Sequence, residues 1–196
     1  PIHPSQGNYD NTLANGLAYY FAQKNCAFIY RAINRLDRDT TGLLIVAKHG
    51  LSAAILSRMV TEHQISRCYL AIVDGIPPKH GTIEAPIARV DGSTIERCVD
   101  FSNGEYAKTE FWRLTTFSDR SLIKLKLSTG RTHQIRVHMK YIQHPLLGDF
   151  IYNPDYRCIH RQALHSYSLD FQHPITECPL HFTAPLPNDM KLALTF

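Results

Sequence analysis

The strongest constraint on the fold is a pair of strand patterns joined by a short polar turn. Within residues 122–127, three apolar side chains alternate with Lys124 and Lys126. This period of two is typical of a strand with one buried and one solvated face. Residues 107–117 have a second strand pattern, and Ser118-Asp119-Arg120 connects the two. So short a connection predicts an antiparallel hairpin, and therefore a sheet built from locally paired strands.

Further segments have strand or helix patterns. Apolar runs predict strands over residues 43–48, 69–74 and 163–171, and short strands within the turn-rich residues 79–104. Helical spacing predicts helices over residues 11–24, 52–62 and 132–143, the first two capped by Asn11 and Ser52. The predicted inner face of the second helix is Leu51, Ile55 and Met59. Because strands predominate and connect through short turns, the predicted fold class is α+β, with a large mixed, mostly antiparallel sheet and flanking helices.

Length and charge narrow the class of protein. With 196 residues the chain is long enough to bury a substantial core, and we expect a single domain over residues 1–196. There is no apolar run of about 18 residues, so we expect no transmembrane helix and no membrane partner. The formal net charge of +4 at pH 7 suits a nucleic-acid partner. Nothing in the sequence requires more than a monomer.

The cysteines argue for a reducing compartment. There are five, an odd number with irregular spacing, which disfavours a disulfide framework and favours the cytoplasm. The nearest approach to a zinc pattern is Cys158-x-His160 with Cys178-x-x-His181. Because no Cys-x-x-Cys pair accompanies them, we expect ordinary thiols and no metal site.

Two short segments concentrate the residues that chemistry would use. In Arg35-Leu36-Asp37-Arg38-Asp39-Thr40-Thr41-Gly42, a carboxylate lies among arginines just before an apolar run, and nearby guanidinium groups favour the ionised form of a carboxylate. The second, Gly130-Arg131-Thr132-His133-Gln134-Ile135-Arg136-Val137-His138, places two arginines and two histidines near a predicted helix start. Both segments suit catalysis on a polyanion, and the basic charge of the chain favours RNA.

These segments resemble the signatures of the RluA-type pseudouridine synthases. The family's first signature runs roughly His-Arg-Leu-Asp-x-x-Thr-Ser-Gly, and this chain has Asn34 in place of the His and Thr41 in place of the Ser. The second signature matches residues 130–138 without a change. Other family-like blocks occur in the family's order: residues 67–75, His144-Pro145-Leu146-Leu147-Gly148-Asp149, Ala163-Leu164-His165 and residues 184–187. The resemblance therefore covers nearly the whole chain.

The resemblance implies the pseudouridine synthase fold, a long sheet with a central RNA-binding cleft. It also implies an enzyme that isomerises specific uridines to pseudouridine in ribosomal or transfer RNA, with no cofactor. Because the chain begins at Pro1 rather than at Met, we expect a fragment that lacks an upstream strand and any accessory RNA-binding domain.

Three residues match the family's catalytic positions. Asp37 matches the catalytic aspartate, which either attacks C1′ of the ribose or removes a proton from C2′; both alternatives stay open. On local sequence alone, Asp37 is also compatible with a surface ion pair, and Asp39 lies at a position that the family leaves variable. Arg136 matches the basic partner that holds the catalytic carboxylate ionised and oriented. Tyr69 matches the tyrosine that stacks on the target uracil and assists proton removal at C5.

Five further residues are expected to bind the substrate. Arg35 resembles the arginine that replaces the extruded uridine in the RNA stack, with phosphate binding as an open alternative. Leu164 resembles the apolar residue that packs under the base, with core packing as its alternative. The remaining three lie at the predicted helix start, a natural place for a phosphate: Arg131, Thr132 and His133. We expect His133 and His138 to be structural or RNA-contacting.

Two functional classes stay open at this point. The favoured one is the uridine isomerase, and the other is a non-catalytic RNA-binding or RNA-chaperone module of the same fold. The presence of Asp37, Tyr69 and Arg136 favours the enzyme, because a pure RNA binder has no use for a carboxylate in an anionic site. Glu105 departs from the relatives, which often have Lys there, and the lost cation is expected to weaken RNA binding slightly.

Overall fold

The chain forms two compact units in a computed structural model that describes residues 2–4 and 7–195. The first unit comprises Pro1–Arg38, Leu44–Ile65 and Phe171–Leu180, and the second comprises Asp39–Leu43, Ser66–Asp170 and His181–Phe196. The single domain expected over residues 1–196 stays a prediction. No helix in the described part of the chain has the length and apolar character needed to cross a membrane.

Helix α1 of the first unit spans Leu13–Ala22. Its N-cap is Thr12 rather than the expected Asn11. The Thr12 hydroxyl accepts a hydrogen bond from Asn15 N (3.3 Å), and the Asn15 side-chain oxygen accepts one from Thr12 N (3.1 Å). This reciprocal capping box satisfies two N–H groups that a helix start leaves without partners, and therefore fixes the first turn.

Helix α2 spans Gly50–Thr61 and begins two residues before the expected start at Ser52, with His49 as its N-cap. Leu56 and Met59 are buried, whereas Leu51, which was expected to face inward, is 66% exposed. Only the C-terminal half of the helix therefore contributes to the core. Helical spacing identifies the apolar face of a helix, but it does not show how far along the helix other residues pack against that face. The buried length was therefore overestimated.

The second unit is built around a seven-stranded sheet. The strands are β1 (Thr41–Gly42), β2 (Ser66–Asp74), β3 (His80–Glu84), β4 (Ile87–Arg89), β5 (Arg97–Val99), β6 (Lys108–Phe117), β7 (Arg120–Leu127), β8 (Leu164–Gln172) and β9 (Pro179–Thr183), and the helices are α3 (Gln134–Tyr141) and α4 (Asn188–Ala193). The order across the sheet is β1-β8-β2-β7-β6-β3, and β9 also pairs with β8. Strands β4 and β5 form a separate hairpin. The last two residues of β8, Phe171 and Gln172, and the first two residues of β9, Pro179 and Leu180, belong to the first unit.

The sheet is mixed and mostly antiparallel, which confirms the predicted α+β class. β2 pairs antiparallel with β7 and β8, and β6 pairs antiparallel with β7 and β3, whereas β1 and β8 run parallel. The predicted hairpin is formed by β6 and β7, and its inward residues Ile123 and Leu125 are fully buried. β2 lies inside the sheet, and its residues 68–73 are all buried.

The strand expected over residues 43–48 is not formed there, and that prediction was wrong. β1 lies two residues earlier, where Thr41 pairs with His165 and Gly42 pairs with Ser166 of β8. Gly42 permits this approach because its φ is +107° and because a Cβ would lie 2.2 Å from the Ser166 carbonyl oxygen. The apolar run that follows is buried at Ile45, and it forms only an isolated antiparallel bridge, between Val46 and Ala32, rather than a strand of the sheet.

Candidate active site

The loop of the first signature is tied to the buried run that follows it. Ile45 N donates to the Asn34 side-chain oxygen (2.9 Å), and Ile33 N donates to Ile45 O (2.9 Å). Asn34, which stands where the family has His, therefore holds this loop of the first unit in place. In the part of the loop that follows Asn34, Arg35 is exposed and Asp37 is half-buried.

The end of the first signature belongs to the second unit, where side chains from the segment before β8 anchor it. Arg161 Nη1 donates to the Asp39 carbonyl (3.2 Å), and Gln162 Nε2 donates to the Thr40 hydroxyl (3.2 Å). Asp39 has a φ of +67°, a left-handed conformation that Asp and Asn adopt more readily than most residues. Asp37 therefore lies two residues before an anchored turn.

His165 connects three of the family-like blocks. Its ring is buried, and burial lowers its pKa, so the ring is neutral at pH 7 and has one N–H. Nε2 lies 3.3 Å from the Ala184 carbonyl, which can only accept, so Nε2 holds the proton. Nδ1 then accepts a hydrogen bond from the Thr41 hydroxyl at 2.8 Å. Thr41 therefore supplies the hydroxyl that the family's Ser would supply.

Most of the second signature lies in α3, which is shorter than the expected helix over residues 132–143 and buries polar as well as apolar side chains. His138 is fully buried, and burial lowers its pKa, so the ring is neutral. Its Nε2–H donates to Ala85 O (2.9 Å), and its Nδ1 accepts from the Thr109 hydroxyl (2.9 Å). Gln134 Nε2 donates to Lys108 O (2.9 Å) and to Thr109 Oγ1 (3.0 Å). His138 is therefore structural, and the network joins α3 to β6.

Arg136 forms a buried ion pair with Asp149. Its Nε and Nη2 donate to the two carboxylate oxygens at 2.6 and 2.7 Å, and the side chains are 1% and 0% exposed. The same carboxylate accepts hydrogen bonds from the backbone N–H groups of Ile151 and Tyr152 (3.0 and 3.1 Å). The guanidinium lies 5.2 and 5.0 Å from the ring centres of Phe150 and Tyr152, within cation–π distance. The expected role of Arg136 beside the catalytic carboxylate stays a prediction.

Tyr152 joins the start of α3 to the β4–β5 hairpin. Its hydroxyl accepts a hydrogen bond from Arg97 N (2.9 Å) and lies 3.0 Å from His133 Nδ1. Burial raises the pKa of Tyr152 to about 12, so the phenol keeps its proton at neutral pH. His133 is the N-cap of α3 and has a φ of +58°. One hydroxyl therefore holds β5 and the helix start together.

Arg131 and Thr132 are exposed just before α3. Arg131 Nε donates to Tyr106 O (3.1 Å), and its guanidinium pairs with Glu105. Arg131 N donates to the Gln134 side-chain oxygen (3.0 Å). One N–H group at the helix start, where a phosphate was expected, is therefore occupied by a side chain of the helix itself.

Tyr69 and Leu164 lie on adjacent strands of the sheet. Tyr69 stands between Leu125 of β7 and Ser166 of β8, and it is 6% exposed. The β2–β8 register shifts between Cys68 and Tyr69, because Tyr167 of β8 is an extra residue between the partners Ser166 and Ser168; such bulges are frequent beside active sites. Leu164 begins β8 and is buried. The stacking role of Tyr69 and the base-packing role of Leu164 stay predictions.

The residues of the nearest zinc pattern have other surroundings. Cys158 Sγ accepts a hydrogen bond from Arg120 Nη1 (2.9 Å), and His181 pairs with Asp170. Within residues 2–4 and 7–195, no group of three or more His, Cys, Asp or Glu is placed to hold a metal ion. All five cysteines are free thiols.

The expected site residues are distributed over both units. Arg35 and Asp37 belong to the first unit, and the others belong to the second. Four of those are brought together on α3 and the turn before it: Arg131, Thr132, His133 and Arg136. Sequence reasoning missed three supporting contacts: the ion pair of Asp149 with Arg136, the hydrogen bonds of the Tyr152 hydroxyl, and the hydrogen bond of His165 with Thr41. Asp149 and His165 lie in family-like blocks, so a signal was present, but the sequence does not show that Asp149 pairs with Arg136 or that His165 contacts Thr41.

Comparisons with known proteins agree on one family. The family model described as RNA pseudouridylate synthase matches residues 2–141. The chain is 42% identical to the ribosomal large subunit pseudouridine synthase D of Zymomonas mobilis, over 97% of this chain and 65% of that protein. It is also 42% identical to an uncharacterized RNA pseudouridine synthase of Bacillus subtilis, over 96% of this chain and 66% of that protein.

A solved structure supports the same relationship. The structure of human RNA pseudouridylate synthase domain containing 1 has a TM-score of 0.77 and 29% identity, and the match covers 90% of this chain and 74% of the human chain. The chain spans slightly less than two thirds of the length of the two bacterial relatives.

Proposed function

Because this chain belongs to the RNA pseudouridylate synthase family, among its RluA-type members, we propose that it isomerises specific uridines in ribosomal RNA to pseudouridine. One observation carries the proposal: the family model matches residues 2–141, a range that includes Asp37, Tyr69 and Arg136. The name of the Zymomonas mobilis relative favours ribosomal RNA over transfer RNA as substrate. We expect the reaction to occur in the cytoplasm.

The reaction needs one well-placed carboxylate rather than a metal or a redox group. The N1–C1′ bond of the uridine breaks, the uracil turns, and its C5 forms a new bond to C1′. The proton on C5 is then lost, and N1 ends with a proton. Asp37 is assigned one of two roles. Either it attacks C1′ as N1 leaves, and its bond to C1′ breaks again when C5 bonds there, or it removes a proton from C2′ and returns it after C5 has bonded to C1′. The anchored turn that begins at Asp39 supports this assignment, because a catalytic group needs a fixed backbone.

Arg136 and Tyr69 are assigned the supporting roles. Arg136 keeps the catalytic carboxylate ionised and oriented, and its own position is fixed by Asp149. Tyr69 stacks on the target uracil and assists the loss of the C5 proton. Base–aromatic stacking contributes about 1–3 kcal/mol, and the bulge in β8 opposite Tyr69 supports a site beside this residue, because bulges are frequent next to active sites.

The remaining residues bind the RNA around the reacting base. Uridine in folded RNA must be extruded at a cost of a few kcal/mol, and Arg35, which is exposed, takes its place in the stack or binds a phosphate. Leu164 packs under the extruded base. Three residues before and at the start of α3 bind the RNA backbone: Arg131, Thr132 and His133.

Pseudouridine mapping tests the proposal. The purified chain and its Asp37→Asn variant are incubated separately with unmodified total RNA, without cofactor or metal, and pseudouridine is mapped by base-specific chemistry. We expect new sites in ribosomal RNA with the unaltered chain and none with the variant. RNA binding without any new site would contradict the enzyme and support a binding module. New sites confined to transfer RNA would overturn the choice of substrate.

A further inference from the structure

A cavity of about 380 Å³ lies in the second unit, next to the β4–β5 hairpin and the residues before α3. We name it the arginine cavity after its polar lining, which consists of Arg89, Arg97, Asn103, Glu105, Arg131 and Thr132. Three guanidinium groups and a single carboxylate give this lining a surplus of positive charge. A positively charged concavity of this kind attracts anions.

Two of the arginines are arranged unfavourably for the unliganded protein. Arg89 and Arg97 are direct cross-strand partners in the hairpin, where like charges destabilise the pairing. Within the described residues, both guanidinium groups bond only to backbone carbonyls. Arg89 Nη1 donates to Thr94 O (3.2 Å), and Arg97 Nη1 donates to Ile95 O (3.2 Å) and Glu96 O (3.0 Å). The hairpin therefore has an uncompensated charge pair that a bound anion would neutralise.

Contacts with the rest of the unit hold the backbone of Arg97 and the side chain of Arg131 in place before any ligand arrives. The Tyr152 hydroxyl binds Arg97 N (2.9 Å), and Arg131 Nε donates to Tyr106 O (3.1 Å). The Nη2 atoms of Arg89, Arg97 and Arg131 have no hydrogen-bond partner in the described part of the chain. A planar guanidinium can donate to two phosphate oxygens at once. These arginines therefore suit a phosphate better than the compact ammonium groups of lysines would.

Glu105 acts as an internal competitor for the anion. It pairs with Arg131, and the two side chains are 70% and 40% exposed. An ion pair this exposed contributes little and exchanges readily. A phosphate can therefore take the place of the Glu105 carboxylate at Arg131, at the cost of separating that pair.

We propose that the arginine cavity binds a phosphate group of the RNA backbone. The proposal rests on the proposed function, which supplies RNA as the polyanion, and it adds Arg89 and Arg97 to the residues that contact the substrate. Glu105 limits the affinity of the site.

Salt-dependent RNA binding tests the proposal directly. A short fluorescein-labelled single-stranded RNA is titrated with the chain at several salt concentrations. Arg89→Gln and Arg97→Gln should each weaken binding by roughly three- to tenfold and reduce the slope of log affinity against log salt by about 0.7 per lost phosphate contact. Glu105→Gln should tighten binding, because it removes the competitor. Arg58→Gln is the matched control: Arg58 is an exposed arginine of α2 with Glu62 at 4.0 Å, and its removal should leave the slope unchanged.

Thermal stability separates a binding role from a structural one. Arg89→Gln and Arg97→Gln each remove a repulsive cross-strand pair, so their melting temperatures should equal or exceed that of the unaltered chain while their RNA affinity falls. Variants that bind RNA as the control does would overturn the proposal. A titration with inorganic phosphate covers the other source of this chemistry. Phosphate binding that Arg97→Gln abolishes, with RNA binding unchanged, would also overturn it.

This proposal and the proposed function fail separately. A chain that forms pseudouridine, but whose Arg89→Gln and Arg97→Gln variants bind RNA normally, would contradict the arginine cavity alone. A chain whose RNA affinity depends on both arginines, but which forms no pseudouridine, would contradict the catalytic proposal alone.

Discussion

Removal of Asp149 is expected to destabilise the protein strongly. Asp149→Ala leaves the Arg136 guanidinium, which is 1% exposed, without its bidentate partner at 2.6 and 2.7 Å. It also removes the acceptor of two backbone N–H groups, those of Ile151 and Tyr152. Breaking a buried ion pair on one side costs about 3–5 kcal/mol. Because domains have only about 5–15 kcal/mol of stability, the variant should lose a large fraction of it.

The assay is urea unfolding followed by the fluorescence of the single tryptophan, Trp112. A charge-free pair, Arg136→Met with Asp149→Leu, is the control, because replacing both members by apolar residues of similar volume is often neutral. We expect the double variant to be more stable than Asp149→Ala. An Asp149→Ala protein within about 1 kcal/mol of the unaltered chain would refute the reasoning. A stable double variant that forms pseudouridine at the unaltered rate would refute the catalytic role of Arg136.

Three further predictions follow from named contacts. Burial lowers the pKa values of His138 and His165, so the unfolded state binds more protons. The free energy of unfolding should therefore fall as the pH drops below about 6.5, and each histidine should contribute up to about 1.4 kcal/mol per pH unit to this loss. Urea titrations at several pH values check this prediction, and a protein that acid stabilises would contradict it. Gly42→Ala should cost about 1–3 kcal/mol from backbone strain alone, whereas Gly16→Ala in α1, with open space around it, should not destabilise; thermal melts compare them. Tyr69→Phe should keep most RNA affinity and slow turnover, and unchanged kinetics would show that its hydroxyl has no role.

Local patterns predicted the parts of the fold that depend on neighbouring residues. The alternation over residues 122–127 predicted β7 because the partner strand β6 is adjacent in the chain. The run over residues 43–48 misled because β1 is defined by pairing with Ser166, more than a hundred residues away. Apolar character predicted the burial of Ile45 correctly, but not its hydrogen bonds.

The same distinction applies to the candidate site. Motif residues such as Arg136 could be identified from the sequence, but its partner Asp149 lies beyond the end of α3. Likewise, Thr41 was identified as a replacement for Ser, while its contact with His165 depends on the parallel pairing of β1 and β8. The arginine pair of the β4–β5 hairpin escaped notice because two arginines eight residues apart become neighbours only when the hairpin forms.

The central claim is that Asp37, and not the nearby Asp39, is the catalytic carboxylate. The most direct test is the single-turnover rate of pseudouridine formation on an RNA that contains a mapped target, with Asp37→Asn and Asp39→Asn compared. Asn tolerates the left-handed conformation at position 39, so the second variant is a conformationally matched control. We expect Asp37→Asn to slow the reaction by at least about 100-fold and Asp39→Asn to keep most of the rate. Comparable rates for Asp37→Asn and the unaltered chain would contradict the account.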